Sequence, residues 1–133
     1  MHNRRNIFLL SAIFVFAGVL HLVVPDRYVG IMPAWIPLQL EMVYVSGVAE
    51  ILGGIGLLIP FVRKAAAIGL IVLLVVVFPA NIQMLSNATR DGSSMLHIAL
   101  LWLRLPLQPL MIVWIYRSAI SRSRIAARAQ TPG

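Results

Sequence analysis

Five polar residues lie inside otherwise apolar stretches of the sequence, and these are the residues that could do chemistry. They are His21, Glu50, Asn81, Arg104 and Gln108. Imidazole, amide and guanidinium groups donate hydrogen bonds to a carbonyl-bearing ligand, and an intramembrane carboxylate relays protons. The same residues could instead only fix the register of packed helices, because buried ionic groups sometimes serve specificity alone.

The composition places these residues in a membrane. Of the 133 residues, 60% are hydrophobic and 11% charged, and the mean hydropathy is +0.91. About a quarter of the residues of a typical soluble domain are charged, and a chain this short cannot bury so much apolar surface in one core. Four apolar runs approach or reach the roughly 20 residues that a spanning helix needs. They are 7–24, 42–62, 65–85 and 96–116.

The sequence therefore predicts an all-α membrane protein, with one domain over 1–133 built as an antiparallel bundle of four transmembrane helices. No small-residue cleavage site follows the first run, so we interpret it as a retained span and not as a signal peptide. Eight of the eleven Lys and Arg residues precede the first run, separate the second from the third, or follow the fourth. The positive-inside rule then places both termini in the cytoplasm.

This distribution of charge also indicates location and partners. The basic tail, 117–133, is expected to lie on anionic lipid headgroups, and the lipid bilayer is the expected partner. Binding to nucleic acid is disfavoured, although the net charge is +7, because most of the basic residues lie next to the ends of the apolar runs and in the tail. We expect a bacterial cytoplasmic (inner) membrane protein.

The segment between the first two runs is rich in proline and aromatic residues. It contains Pro25, Pro33 and Pro37 together with Tyr28 and Trp35. Aromatic residues near the end of a span favour the headgroup region. We interpret the segment as an element lying in the outer interface and capping the bundle; an ordinary connector is the alternative.

Glu50 and Arg104 lie at the same predicted depth. At about 1.5 Å per residue, Glu50 is about 12 Å from Met42 and Arg104 about 13 Å from Met95, at the outer ends of the two helices. A lone charge at that depth costs at least about 2.5 kcal/mol, so the sequence predicts that the two residues pair. Gln108, Asn81 and His21 are expected to complete the polar cluster.

Small residues share a helical face with the polar residues of the first two runs. Gly18 lies on the face of His21, and Gly47 and Gly54 lie on the face of Glu50. Small residues let neighbouring helices approach closely. The polar face of each helix is therefore expected to be its packing face.

The sequence disfavours several kinds of redox centre. There is no cysteine, which excludes thiolate metal ligands and covalent haem attachment, and no metal site is predicted. His21 and His97, each within one turn of the outer end of its run, could in principle ligate haem axially. Histidines near the membrane interface more often form hydrogen bonds, so haem is disfavoured. His97 is left without an assigned role.

Four motifs in order resemble the DoxX family of small four-span membrane proteins. They are HLVVPDRYVGIMPAWIP, VSGVAEILGGIGLLIP, VFPANIQM and LWLRLPLQ, within residues 18–116. The matching polar positions are His21, Glu50, Asn81, Arg104 and Gln108. The resemblance implies a four-helix membrane bundle. It also implies a link to redox functions, since the family takes its name from a relative that resembles the small subunit of a thiosulfate:quinone oxidoreductase.

Two functions are compatible with these residues. In the first, the protein is a redox-linked membrane subunit in which His21, Asn81 and Arg104 hold a quinone and Glu50 relays a proton, with electrons from a partner protein or diffusible carrier. In the second, it is a non-catalytic accessory or assembly protein whose buried Glu50–Arg104 pair is structural. A carrier would require a homo-oligomer, because four spans are few. The sequence does not separate the first two, nor decide whether the protein is an enzyme.

Overall fold

The computed structural model describes residues 2–30, 32–121 and 128–129 and is helical, with no strand in this part of the chain. The helices are α1 (His2–Val23), α2 (Pro25–Val29), α3 (Gln39–Leu58), α4 (Arg63–Arg90) and α5 (Met95–Ile115). A π-helical turn, Tyr116–Ser121, continues α5. Most of the predicted basic tail, 117–133, lies outside the described residues.

Four helices in the described part of the chain are long and apolar enough to cross a membrane. They are Asn3–Val23, Gln39–Leu58, Arg63–Arg90 and Met95–Ser121. Large apolar side chains are exposed along them, among them Phe16, Val45, Val76 and Leu110. Exposed apolar surface of this extent is compatible with contact with lipid. The prediction of an all-α protein with four such helices is confirmed.

Two helices end four or five residues away from the predicted ends of their runs, and the first difference is caused by proline. The second run was predicted to continue to residue 62, but α3 ends at Leu58. Ile59, the residue before Pro60, has φ −91° and ψ 110°. Proline disfavours the helical conformation in the residue before it, so Pro60 sets the end of α3.

The second difference is the length of α4. It continues to Arg90, whereas the run was predicted to end at residue 85 and a loop to follow. Twenty-eight residues give a helix of about 42 Å, longer than the roughly 30 Å hydrocarbon core. The polar side chains of its last turns bond locally, since Thr89 Oγ1 donates to the Leu85 carbonyl at 2.7 Å. The helix continues through these residues, where a loop was expected.

Glycine allows α1 and α3 to pack at close range. A Cβ atom added to Gly18 would lie 2.5 Å from the carbonyl oxygen of Gly47, and one added to Gly47 would lie 2.8 Å from Cβ of His21. One added to Gly54 would lie 3.0 Å from the Ser11 carbonyl oxygen. Only a residue without a Cβ fits at these points. The small-residue faces predicted on the first two runs are therefore packing faces.

The remaining contacts arrange the helices around two apolar clusters. α3 also packs against α4, and α4 packs against α5. At one end, here called the Arg63 end, the cluster joins α1, α3, α4, α5 and the π-helical turn; its residues are Ile7, Leu10, Phe14, Leu57, Ala67, Leu70, Ile115, Ala119 and Ile120. At the other, here called the α2 end, α4 meets α5 through Met84, Leu85, Ala88 and Leu101. On α4 and α5 the polar residues lie between the clusters.

The proline-rich segment adds a short helix and a contact with the α2 end. α2 begins at Pro25. Proline is well tolerated at the first position of a helix, because the N–H group that it lacks would have no partner within the helix. Beyond it, Met32 packs against the α4–α5 cluster and Pro33 is buried. Trp35 is 67% exposed, and Ile31 lies outside the described residues. The segment thus packs on the bundle through Met32 and Pro33 and leaves Trp35 outward.

The glycine contact between α1 and α3 makes a prediction about stability. Gly18→Ala and Gly47→Ala should each destabilise the folded protein in detergent, by about 1–3 kcal/mol as is usual for overpacking. Gly69→Ala is the matched control, because no atom lies within 4 Å of its added Cβ. Gly69→Ala should instead raise the free energy of unfolding by about 1 kcal/mol, because alanine has a higher helix propensity than glycine. Denaturant or thermal unfolding measures all three, and equal behaviour of Gly18→Ala and Gly69→Ala would contradict the packing described.

Candidate functional site

The glycine contact between α1 and α3 places His21 beside Glu50. His21 lies in the last turn of α1, directly against Gly47 of α3. Its Nδ1 atom is 3.4 Å from Oε2 of Glu50, and the two side chains are only 11% and 15% exposed. The small-residue face of each helix therefore brings an imidazole and a carboxyl group together.

One oxygen of the Glu50 carboxyl lacks a hydrogen-bond donor. His21 Nδ1 is closer to the Ala17 carbonyl oxygen, at 2.8 Å, than to Glu50. Because Nδ1 carries at most one proton, its hydrogen bond goes to Ala17. The buried Oε2 atom has no hydrogen-bond partner among the described residues. An unsatisfied buried acceptor costs about 1–3 kcal/mol, so this oxygen is where an external donor would stabilise the protein most.

Tyr28 of α2 covers the His21 ring. The two ring centroids are 3.9 Å apart and the planes are inclined by 19°, a stacked arrangement. Burial raises the pKa of the Tyr28 phenol above its usual value; the positive charge of Arg104 opposes this rise and the negative charge of Glu50 adds to it. The phenol is therefore a neutral O–H donor at physiological pH, within electrostatic range of both charged side chains.

The predicted ion pair between Glu50 and Arg104 is wrong. In the part of the chain that the structure describes, no carboxylate oxygen lies within 4.0 Å of the Arg104 guanidinium, and the ion-pair contact of Glu50 is with His21. The physical reason is the order of the helices. α3 packs against α1, α2 and α4, whereas α5 packs mainly against α4. Arg104 is half-buried, and its charge reaches the site electrostatically, as its effect on Tyr28 shows.

The two amides form a separate network between α4 and α5. Asn81 Nδ2 donates to Gln108 Oε1 at 2.8 Å, and Gln108 Nε2 donates to the Leu74 carbonyl at 2.7 Å. Both side chains are 5% exposed. Pro79 has no N–H to donate to the carbonyl of Val75, four residues earlier. The backbone hydrogen bonding of α4 is therefore weakened in this turn, which also contains Leu74. Gln108 adds a donor there.

His97 stands apart from these groups. Its backbone N–H donates to the Ser94 hydroxyl at 3.3 Å, which caps the start of α5. Its side chain forms no hydrogen bond or ion pair with the other described residues. The predicted cluster thus divides in two, with His21 and Glu50 on one side, Asn81 and Gln108 on the other, and Arg104 outside both contacts.

A family model described as Domain of unknown function (DUF8561) matches residues 10–119. The chain belongs to this family. The matched range includes all five predicted polar residues and Tyr28. No curated protein and no solved structure matches the chain.

Tyr28 is the residue that the sequence did not indicate as part of the site. It follows His21 by seven residues, which is about two turns of a continuous helix. Pro25 interrupts that helix, so the spacing gave no reason to expect a contact. α2 restarts immediately after the break and returns the phenol ring to the His21 face.

The amide network makes a prediction about coupling. Asn81→Leu and Gln108→Met each leave a buried polar partner unsatisfied, which costs about 1–3 kcal/mol. The double variant removes both partners and should cost less than the sum, with a coupling energy of about 0.5–3 kcal/mol. Unfolding of the four proteins in detergent measures it.

The control is a second amide pair on α4. Gln83 Nε2 donates to Asn87 Oδ1 at 3.2 Å on a partly buried face. Local pairs at this spacing couple by about 0.2–0.5 kcal/mol, so Gln83→Met with Asn87→Leu should be nearly additive. If the Asn81–Gln108 pair is equally additive, its hydrogen bond does not hold α4 to α5.

Proposed function

We propose that this protein is a redox-linked membrane subunit resembling the DoxX family, and that it holds a quinone-like ligand beside His21, Tyr28, Glu50 and Arg104. The observation that carries the proposal is Glu50 Oε2, buried and without a hydrogen-bond partner among the described residues. A structural carboxyl would be expected to have its acceptors satisfied. A ligand hydroxyl would satisfy this one.

The side chains around this oxygen suit such a ligand. A quinone carbonyl needs hydrogen-bond donors, and the Tyr28 phenol and the Arg104 guanidinium are donors. A quinol hydroxyl needs an acceptor, which is Glu50 Oε2. The stacked His21 and Tyr28 rings offer a flat, largely apolar wall. The set therefore contains partners for both the oxidised and the reduced form.

The roles of the residues follow from their chemistry. When bound, a quinone supplies two-electron, two-proton redox chemistry. Glu50 accepts a proton at Oε2, and His21, whose Nδ1 lies 3.4 Å away, is the neighbouring titratable group. Arg104 provides a fixed positive charge that stabilises negative charge near the ligand. Electrons come from a redox partner protein or a diffusible carrier, because the sequence contains no cysteine and no nucleotide-binding motif.

The membrane arrangement is part of the proposal. Successive spans alternate in direction, both termini are cytoplasmic, and the membrane is the bacterial inner membrane. The contacts of α1 with α3 support the alternation, since Ser11 faces Gly54 whereas Gly18 faces Gly47. Residue numbers rise along one helix as they fall along the other. The clustering of basic residues supports the orientation.

The accessory function is supported by a different observation. The Asn81–Gln108–Leu74 network joins α4 to α5 through two internal hydrogen bonds, and it contains no fully buried polar atom without a partner among the described residues. A protein whose whole polar interior behaved in this way would be a packing module and not a redox subunit. The question is therefore whether the Glu50 group binds a ligand.

Quinone retention tests this function. We expect the wild-type protein, purified from membranes in mild detergent, to retain extractable quinone that chromatography and mass spectrometry detect. Glu50→Gln and Arg104→Gln should each retain roughly tenfold less or lower, since a hydrogen bond to a charged group contributes about 1.5–3 kcal/mol. Glu41→Gln is the matched control, because Glu41 is an exposed carboxyl in the first turn of the same helix.

Two results would refute the function. One is a wild-type protein that carries no quinone and binds none when it is supplied. The other is equal retention by Glu50→Gln and Glu41→Gln. Either result would favour the accessory function.

A further inference from the structure

A pocket of about 310 Å³ lies at the Arg63 end, and none of its lining residues belongs to the group around Glu50. Its lining comes from the start of α1, the end of α3 and the turn into α4, and includes Asn3, Arg4, Phe8, Leu58, Pro60 and Arg63. These positions are the ends of three of the four apolar spans. In a bilayer, span ends lie at the level of the headgroups.

The polar lining of this pocket is cationic. Arg4 and Arg63 reach it from different helices, and Asn3 adds an amide. The lining that the structure describes contains no carboxylate. Two guanidinium groups with no acid between them suit an anion, and they suit phosphate best because their N–H groups pair with its oxygens two at a time.

Arg63 is held in place at the pocket. Its Nε donates to the Leu57 carbonyl at 2.7 Å and its Nη2 to the Leu58 carbonyl at 3.5 Å, so it caps the end of α3. A guanidinium has five N–H groups, and the others stay available. Part of the entropy of ordering this side chain has therefore been lost before any ligand binds.

The apolar lining distinguishes a lipid from a free anion. Phe8 is 63% exposed and Leu58 39% exposed, and both belong to predicted membrane spans. Acyl chains can lie along these side chains while the headgroup occupies the pocket. A volume of about 310 Å³ is at the lower end of the roughly 300–1,000 Å³ of ligand pockets, which suits a headgroup but not a whole lipid.

We propose that this pocket binds the headgroup of an anionic phospholipid, with the phosphate between Arg4 and Arg63 and the acyl chains along Phe8 and Leu58. An anionic headgroup is preferred to a zwitterionic one, because a headgroup ammonium would find no carboxylate in the described lining. The site is independent of the group around Glu50. It anchors one end of the bundle to a particular class of lipid.

The test uses the full chain, delipidated in detergent, and measures the rise in unfolding temperature on adding phosphatidylglycerol. Phosphatidylcholine and inorganic phosphate are added at the same concentrations in parallel. We expect phosphatidylglycerol to stabilise the wild type well above the other two. In Arg4→Gln its apparent affinity should fall by about tenfold, the usual effect of losing one charge-assisted hydrogen bond.

Arg5→Gln is the matched control, because Arg5 is the exposed neighbour of Arg4 and does not line the pocket. It removes the same charge and should keep wild-type affinity for phosphatidylglycerol. Arg63→Gln also loses the cap on α3, so Arg4→Gln carries the test. Equal losses in Arg4→Gln and Arg5→Gln would overturn the proposal in favour of diffuse attraction to charge. If phosphatidylcholine stabilised the protein as much as phosphatidylglycerol does, the preference for an anionic lipid would be overturned. If inorganic phosphate did so, the proposal that the ligand is a lipid would be overturned.

Discussion

A carboxyl group inside a membrane must find its hydrogen-bond partners within the protein, because the hydrocarbon core has no water to supply them. Glu50 meets this constraint only in part. The glycines of α1 and α3 bring His21 to 3.4 Å from it, yet the imidazole proton goes to Ala17. The packing of α1 on α3 thus positions an acceptor and leaves it open. The proposed function depends on that open acceptor.

The polar interior consists of two groups with different characters. Asn81 and Gln108 bond to each other and to the backbone of α4, so they join two helices. The group around Glu50 combines a carboxyl, an imidazole and a phenol, with the Arg104 cation within electrostatic range. An amide network of this kind stabilises a fold, whereas a group with several ionisable side chains and a buried acceptor without a partner is typical of a binding site.

Sequence reasoning predicted the four helices and the faces of α1 and α3, because hydropathy, helical period and small residues are local properties. It could not predict which helices are neighbours. Equal depth and opposite charge suggested that Glu50 pairs with Arg104. The depth of a residue does not determine which helices are neighbours, and α5 packs on α4 and not on α3. Tyr28 was missed because Pro25 interrupts the helical phase. The end of α3 was in principle readable from Pro60, and the extension of α4 to Arg90 was not, since Ser, Asn and Thr usually favour loops.

Infrared difference spectroscopy on protein carrying carbon-13 glutamate shows whether Glu50 Oε2 accepts a hydrogen bond from a ligand. We expect a carboxyl band that changes frequency when quinol is added, because a new hydrogen bond weakens the C–O bond that accepts it. The change should disappear in Glu50→Gln and persist in Glu41→Gln. A Glu50 band that stays at the same frequency with and without quinol would show that Oε2 does not accept a hydrogen bond from the ligand.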